Sequence, residues 1–165
     1  MISKIIEKVH GWKTRFSFGS TSAIITNLAL MAGLHSQANA RISIIGGILV
    51  IALADNVSDS FGIHIYQESE NIETREVWTS TILNFTSRVL VSLSFVVLML
   101  MLPLNAAIAA SMIWGLLLLA VVSYMIAKNE SGNPYSSILT HVLIAVVVIF
   151  LSNLMGDLLL RRFGK

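Results

Sequence analysis

Five long apolar stretches occupy most of the sequence, and they limit the fold more than any other feature. A transmembrane helix needs about 20 predominantly apolar residues. Lipid offers no hydrogen-bond partners to the backbone, so a chain that crosses it must form helices or a closed barrel. The strict alternation of apolar and polar residues that marks barrel strands does not occur in the sequence. The predicted helical spans are residues 16–34, 42–66, 77–102, 106–127 and 138–160.

The composition indicates an all-α integral membrane protein that forms a single transmembrane domain over residues 1–165. Of the 165 residues, 55% are hydrophobic and 12% are charged, whereas soluble domains carry about 25% charged residues. The chain has no cysteine, which excludes disulfides and thiolate metal sites. The sequence has no nucleophile–base arrangement, phosphate loop or H-E-x-x-H motif, so we do not expect an enzyme. The basic residues flank the apolar stretches, a pattern that indicates membrane orientation and not nucleic-acid binding.

The N-terminal residues are predicted to form an amphipathic helix that lies on the membrane surface. Ile2, Ile5 and Val9 share one helical face, and charged residues lie opposite. An unstructured basic terminus is the alternative interpretation. The charges that flank the spans favour a cytoplasmic N-terminus and an external C-terminus, in the inner membrane of the cell.

Two carboxylates lie inside the second predicted span, where charge is costly. An isolated charge at the centre of a bilayer costs at least about 2.5 to 3.5 kcal/mol on insertion scales. Asp55 and Asp59 are four residues apart, so they share one helical face, with Ser58 beside them. The helical rise places Arg88 of the third span at the depth of Asp55 and leaves Asp59 without a basic residue at its own depth.

This arrangement of charges has two interpretations. In the first, Arg88 and Asp55 form an ion pair that only holds two helices together. In the second, Asp55 and Asp59 bind a cation in transit, and Arg88 alters the charge of the carboxylates or exchanges with the cation. Both can apply at once, with Arg88 on Asp55 and Asp59 free. The residues expected to line the path are Ser22, Thr26, Ser58, Asn84, Arg88, His141 and Asn153.

A connector rich in glutamate follows the second span. Its acidic residues could raise the concentration of cations at the entrance of the path, and a plain solvated connector is the alternative. Glu68, Glu70, Glu73 and Glu76 are therefore predicted metal-binding residues. For His141, a position at the level of the lipid headgroups is the alternative to a role in the path.

Three stretches of the sequence resemble the vacuolar iron transporter family. They read TSAIITNLALMAGL (21–34), GILVIALADNVSDSFGIHIYQESE (47–70) and SYMIAKNESGNPYSSILTHVLIAVVVIFLSNLMGDLL (123–159). The resemblance implies a five-helix homodimer that exports Fe²⁺ or Mn²⁺ from the cytoplasm in exchange for protons.

The sequence departs from the pattern of that family at several positions. The family motif A-D-G-x-S-M becomes ADNVSD here, so Asp55 and Ser58 match, while Asp59 replaces a metal-binding methionine. A carboxylate in place of a thioether shifts the preference away from soft metals. Ser22 replaces an aspartate in the first helix, and Asn153 replaces a tyrosine in the last one. The cytoplasmic metal-binding helices that many members carry between spans two and three are missing.

The sequence therefore predicts a transporter that exports a divalent cation such as Fe²⁺ or Mn²⁺ from the cytoplasm. It would work as a homodimer in lipid, without a permanently bound cofactor. One alternative is a membrane scaffold or assembly subunit that transports nothing and whose buried charges are structural ion pairs. A further alternative keeps the transport function but has an organic cation or protons as the cargo.

Overall fold

In the computed structural model, residues 19–129 and 133–164 are described, and their regular structure is entirely α-helical. There are five helices in these ranges. They are α1 (Gly19–Leu34), α2 (Ala40–Ser69), α3 (Thr74–Met101), α4 (Leu104–Asn129) and α5 (Pro134–Phe163). The amphipathic helix predicted at the N-terminus lies outside the described residues.

The helices α2 to α5 are each long and apolar enough to cross a membrane, and α1 is a shorter apolar helix. This agrees with the all-helical prediction and fits a membrane protein. The predicted break between spans three and four is also confirmed, because α3 ends at Met101 and Pro103 follows. Proline forces the residue before it out of the helical region, and Leu102 is accordingly extended.

Short connections make consecutive helices antiparallel. The link between α2 and α3 turns through Asn71, which adopts a positive φ of 56°, a conformation that asparagine tolerates better than most residues. α5 begins at Pro134, and the Asn133 side chain accepts a hydrogen bond from the backbone N–H of Tyr135. The bundle therefore has two ends, which are called here the 70–73 end and the 102–103 end after their connections.

The interior shared by α1, α2 and α3 differs between these two ends. The buried residues of α2 recur every four positions. Those from Ala40 to Ala52 are apolar, and those from Asn56 to His64 are polar. The facing residues of α3 change at the same level, near Ser92. The apolar half, towards the 102–103 end, contains Leu28, Met31, Ile44, Ile48, Phe95 and Met99. The polar half, towards the 70–73 end, contains Asn56, Ser60, His64, Ser80, Asn84, Ser87 and Arg88.

Glycines allow α1 to approach its neighbours closely in the apolar part of the bundle. A side chain at Gly156 of α5 would run into the backbone of Gly33, and one at Gly115 of α4 would run into Leu28. α5 is otherwise little buried, and Ala145 is its one buried residue in the described range. Most of its large apolar side chains point outward, as expected for a helix that contacts lipid or another protein.

Candidate functional site

Arg88 lies at the centre of the candidate site, and its side chain is fully buried. It occupies the middle of α3, about 20 Å from either end at the helical rise. The register of the antiparallel pair α2–α3 places Arg88 opposite Asn56, because Ser60 contacts Asn84 one turn away. Arg88 therefore faces α2 between Asp55 and Asp59.

The guanidinium group contacts four side chains from two helices. Its Nη2 forms an ion pair with Oδ2 of Asp59 and donates a hydrogen bond of 2.7 Å to Oγ of Ser22. Its Nη1 donates to Oδ1 of Asn56 at 3.3 Å and lies 3.6 Å from Oδ2 of Asp55. Arg88, Asp55 and Asp59 form what we call the charged centre.

The predicted ion pair between Arg88 and Asp55 is present, but the prediction that Asp59 is free is wrong. Arg88 binds Asp59 more closely than Asp55. The prediction compared only the depths of the backbone positions. The long side chain of arginine reaches about one helical turn from its own Cα, and so it contacts both carboxylates.

The charged centre holds two carboxylates and one guanidinium. Both acidic side chains are only partly covered, with exposed fractions of 44% for Asp55 and 43% for Asp59. Two buried donors beside them, Nε of Arg88 and Nδ2 of Asn56, have no hydrogen-bond partner in the protein. If all three groups are ionised, the centre carries one uncompensated negative charge and retains donors that can bind a further oxygen atom.

Three side-chain hydrogen bonds join α2 to α3 between the charged centre and the 70–73 end. They are Ser60 Oγ to Asn84 Oδ1 at 3.1 Å, His64 Nδ1 with Thr81 Oγ1 at 2.9 Å, and Gln67 Nε2 to Ser80 Oγ at 3.0 Å. They form a line of polar groups that leads from the bundle end to the middle of the helices.

His64 occupies the middle of this line and is 7% exposed. Its ring is stacked on Phe61 and forms a T-shaped contact with Trp78, with centroid distances of 5.6 and 4.6 Å. The Thr81 hydroxyl donates to the carbonyl of Val77, so it accepts the bond from Nδ1 of His64. The neutral imidazole consequently carries its proton on Nδ1 and a lone pair on Nε2.

The other residues predicted to line the path are distributed over the bundle. Ser22 and Asn84 lie in or next to the charged centre, whereas Ser58 is exposed on another face of α2. His141 is hydrogen-bonded to Ser123 at 2.8 Å between α4 and α5. Asn153, on α5, has a buried Oδ1 without a hydrogen-bond partner.

Thr26 lies in a separate groove near the 102–103 end. This groove has a volume of about 690 Å³ and is mostly apolar, and it runs between α1, α2 and α5. Its lining includes Gly33, Ile51, Met155 and Phe163, but neither carboxylate of the charged centre. The structure thus separates Thr26 from the residues with which it was grouped.

The four glutamates predicted to bind metal are all exposed near the 70–73 end. They are Glu68, Glu70, Glu73 and Glu76. Within residues 19–129 and 133–164, no group of three histidine or acidic side chains is arranged to hold a metal ion. The metal-binding role of these glutamates stays a prediction.

Sequence reasoning did not place Asn56 or His64 on the inward face of α2, although both are prominent in the structure. Asn56 bonds Arg88 directly, and His64 is buried in the polar half. The signal that could have found them is the spacing of four residues that begins at Ala40 and continues through Ala52. Following that spacing to the end of the span would have selected Asn56, Ser60 and His64 as the inward face.

Comparisons with protein-family models, with curated proteins and with solved structures find no match to this chain. The resemblance to vacuolar iron transporters therefore stays a prediction.

Proposed function

We propose that this chain is an integral membrane protein with five spans that carries a divalent cation out of the cytoplasm. The observation that supports this most is the charge balance of the charged centre, in which Arg88 faces both Asp55 and Asp59. Asp55 lies at the middle of the 30-residue helix α2, and the hydrocarbon core of a membrane is about 30 Å thick. The centre would therefore lie near the middle of the bilayer.

An uncompensated negative charge at that depth is unfavourable, so a positive partner would be recruited there. Carboxylates together with neutral oxygen ligands suit hard divalent cations. Asp55 and Asp59 supply carboxylate oxygens, and Ser22 and Asn56 supply neutral oxygens close to Arg88. Fe²⁺ and Mn²⁺ are the proposed cargo, and each ion would compete with Arg88 for Asp59.

The proposed orientation places the 70–73 end in the cytoplasm of a cell with an inner membrane, and the C-terminus outside. The four exposed glutamates would then surround the entrance on the cytoplasmic side and raise the local concentration of cations. The polar half begins at the same end of the bundle. A cation would thus meet acidic groups first and the charged centre afterwards.

We propose a homodimer because the two carboxylates are only partly covered in one copy of the chain. Small exposed residues, Ala54, Ser58 and Gly62, follow each other every four positions on α2. A Cβ added at Gly62 would meet no atom within 4 Å, so the surface there is open to another helix. A second copy on this face would shield the carboxylates from lipid.

The test is uptake of Mn²⁺ into proteoliposomes. Asp59→Asn should reduce uptake to the level of liposomes without protein, because an amide oxygen is a poor substitute for an anionic ligand. Asp157→Asn is the matched control, since Asp157 lies near the 102–103 end and accepts a hydrogen bond from Ser36 at 3.3 Å. Transport by Asp59→Asn at the wild-type rate would exclude Asp59 as the ligand.

A membrane scaffold is the second candidate function, and the four side-chain contacts of the Arg88 guanidinium favour it. All four side chains around the guanidinium could serve only to fix α1, α2 and α3 together. In that case wild-type protein would move no Mn²⁺, while Arg88→Met would still destabilise the bundle. Wild-type uptake that depends on Asp59 would exclude the scaffold.

A further inference from the structure

We propose that the charged centre and the groove between α1, α2 and α5 together bind an amphipathic organic cation. Its positive head lies at Asp55 and its apolar chain lies along the groove. Such a ligand differs in class from the divalent cation proposed above. Its binding uses the same charged centre but does not depend on transport.

The inner end of the groove lies beside the charged centre. Thr26, which lines the groove, is one helical turn from Ser22, whose hydroxyl accepts a hydrogen bond from Arg88. Ile51, which lines it from α2, is four residues from Asp55 and shares a helical face with it. Four residues advance about 6 Å along a helix, so one bound molecule can contact both the groove and Asp55.

The groove continues from there to the 102–103 end. Its lining residues on α5 run from Leu151 to Gly164, a length of about 20 Å at the helical rise. Leu151, Met155 and Phe163 on this wall are exposed, so the groove is open on its outer side. Its volume of about 690 Å³ is within the range of about 300 to 1,000 Å³ that is usual for small-molecule sites. An elongated apolar groove suits a linear hydrocarbon chain.

The distribution of charge requires the head of the ligand to be positive. Arg88 forms its close ion pair with Asp59, whereas its Nη1 lies 3.6 Å from Oδ2 of Asp55. The uncompensated negative charge therefore falls mainly on Asp55, which is the carboxylate nearer to the groove. A monovalent cation neutralises that one charge without displacing Arg88 from Asp59.

The groove itself requires the rest of the ligand to be apolar. No charged residue lines it, and its polar lining side chains are Thr26, Gln37 and Ser152. A ligand site that is mostly apolar and has its charge at one end selects an amphipathic molecule. An uncharged chain would leave the negative charge at Asp55 without a partner, which is unfavourable inside a membrane.

The experiment measures equilibrium binding of dodecyltrimethylammonium to the protein in lipid nanodiscs, with binding to empty nanodiscs subtracted. This probe keeps its positive charge at every pH. Dodecanol has the chain without the charge, and tetramethylammonium has the charge without the chain. Each should bind at least about tenfold more weakly than the complete probe. Mn²⁺ should compete with the probe, because both use Asp55.

Two variants test the two parts of the site separately. Asp55→Asn should weaken binding by about thirtyfold or more, as expected when one partner of a shielded charge pair is removed, and Asp157→Asn is its control. Ala29→Phe places a ring in the groove and should weaken binding by about tenfold or more. Ala109→Phe is the matched control, because Ala109 is exposed on α4 and does not line the groove.

The comparison of probes on the wild-type protein does not depend on how any variant folds. Equal affinity for dodecyltrimethylammonium and dodecanol would overturn the proposal, as would unchanged affinity in Ala29→Phe. Loss of the dimer in Ala29→Phe with cation affinity retained would assign the groove to a second copy of the chain instead. Failure of the proposed transport function would appear differently, as wild-type protein that binds the organic cation but takes up no Mn²⁺.

Discussion

The two halves of the interior between α1, α2 and α3 are built from the same helices but by different interactions. In the apolar half, side chains such as Ile48 and Phe95 pack together, whereas in the polar half Ser60, Asn84 and Arg88 form hydrogen bonds and ion pairs. Packing of apolar and small residues is sufficient to hold helices together in a membrane. Buried ion pairs are often no more stabilising than apolar residues of the same size. The proposed transport function assigns the polar half a role beyond holding the helices, whereas the scaffold alternative does not.

The largest contrast between the halves should be their access to water. The chain has no cysteine, so single cysteines can be introduced without a background reaction. Ser60→Cys and Ile48→Cys replace residues of almost equal burial, 2% and 0%. We expect a small water-soluble thiol reagent to modify the cysteine at position 60 and not the one at position 48, because an apolar environment disfavours the reactive thiolate. Equal modification rates would show that the two halves are equally dry or equally wet.

The largest effect on stability should come from Arg88. Arg88→Met leaves Asp55 and Asp59 without their common partner, and breaking a buried pair costs about 3 to 5 kcal/mol. The matched control is Arg41→Met at the 102–103 end, where Arg41 bonds the carbonyls of Met99 and Leu102 at 2.9 and 2.8 Å. That change should cost only about 1 kcal/mol. Thermal unfolding in detergent would compare the two, and equal melting temperatures would refute a special role of Arg88 in the fold.

A smaller effect on stability is expected when a glycine in the apolar part of the bundle is replaced by alanine. Gly156→Ala places a methyl group against the backbone of Gly33, and overpacking of this kind costs about 1 to 3 kcal/mol. Gly46→Ala is the control, because a Cβ there meets no atom within 4 Å. Melting temperatures should fall for the first variant and stay the same or rise for the second. Equal losses in the two variants would contradict the close approach of α5 to α1 at Gly156 and Gly33.

The smallest effect is expected from the hydrogen bond between Ser60 and Asn84. Ser60→Ala leaves Oδ1 of Asn84 without its donor, which costs about 1 to 3 kcal/mol where no water replaces it. If the polar half is hydrated, water takes over and the cost falls below about 1 kcal/mol. The double variant Ser60→Ala/Asn84→Leu should then be close to neutral in stability but should impair Mn²⁺ uptake. Unimpaired uptake by the double variant would show that Mn²⁺ transport does not need the hydrogen bond between Ser60 and Asn84.

Much of the fold could be predicted because the apolar stretches and Pro103 depend only on local sequence. The predicted spans 42–66 and 106–127 correspond to the helices Ala40–Ser69 and Leu104–Asn129. Most helix ends extend beyond the predicted limits, since polar residues such as Gln67 and Lys128 continue a helix once an apolar stretch has started it.

The inward face of the second helix could not be predicted in the same way. In water, the apolar face of a helix is the buried one, but a helix that contacts lipid is apolar on its outer face as well. α2 carries small or polar residues on two faces, with Asn56 and Ser60 on one and Ser58 and Gly62 on the other. Only the packing against α3 decides between them. For the same reason Ser58 was grouped with the carboxylates, while Asn56 was overlooked.

Anomalous diffraction from crystals soaked in Mn²⁺ is the decisive test of whether the charged centre binds a divalent cation. A bound ion should give a peak between Asp55 and Asp59, with carboxylate oxygens about 2.0 to 2.6 Å away, and Arg88 displaced from Asp59. Asp59→Asn crystals under the same conditions should lack the peak. Wild-type crystals at saturating Mn²⁺ that show no peak at this position, with the contact between Arg88 and Asp59 unchanged, would contradict cation binding at the charged centre.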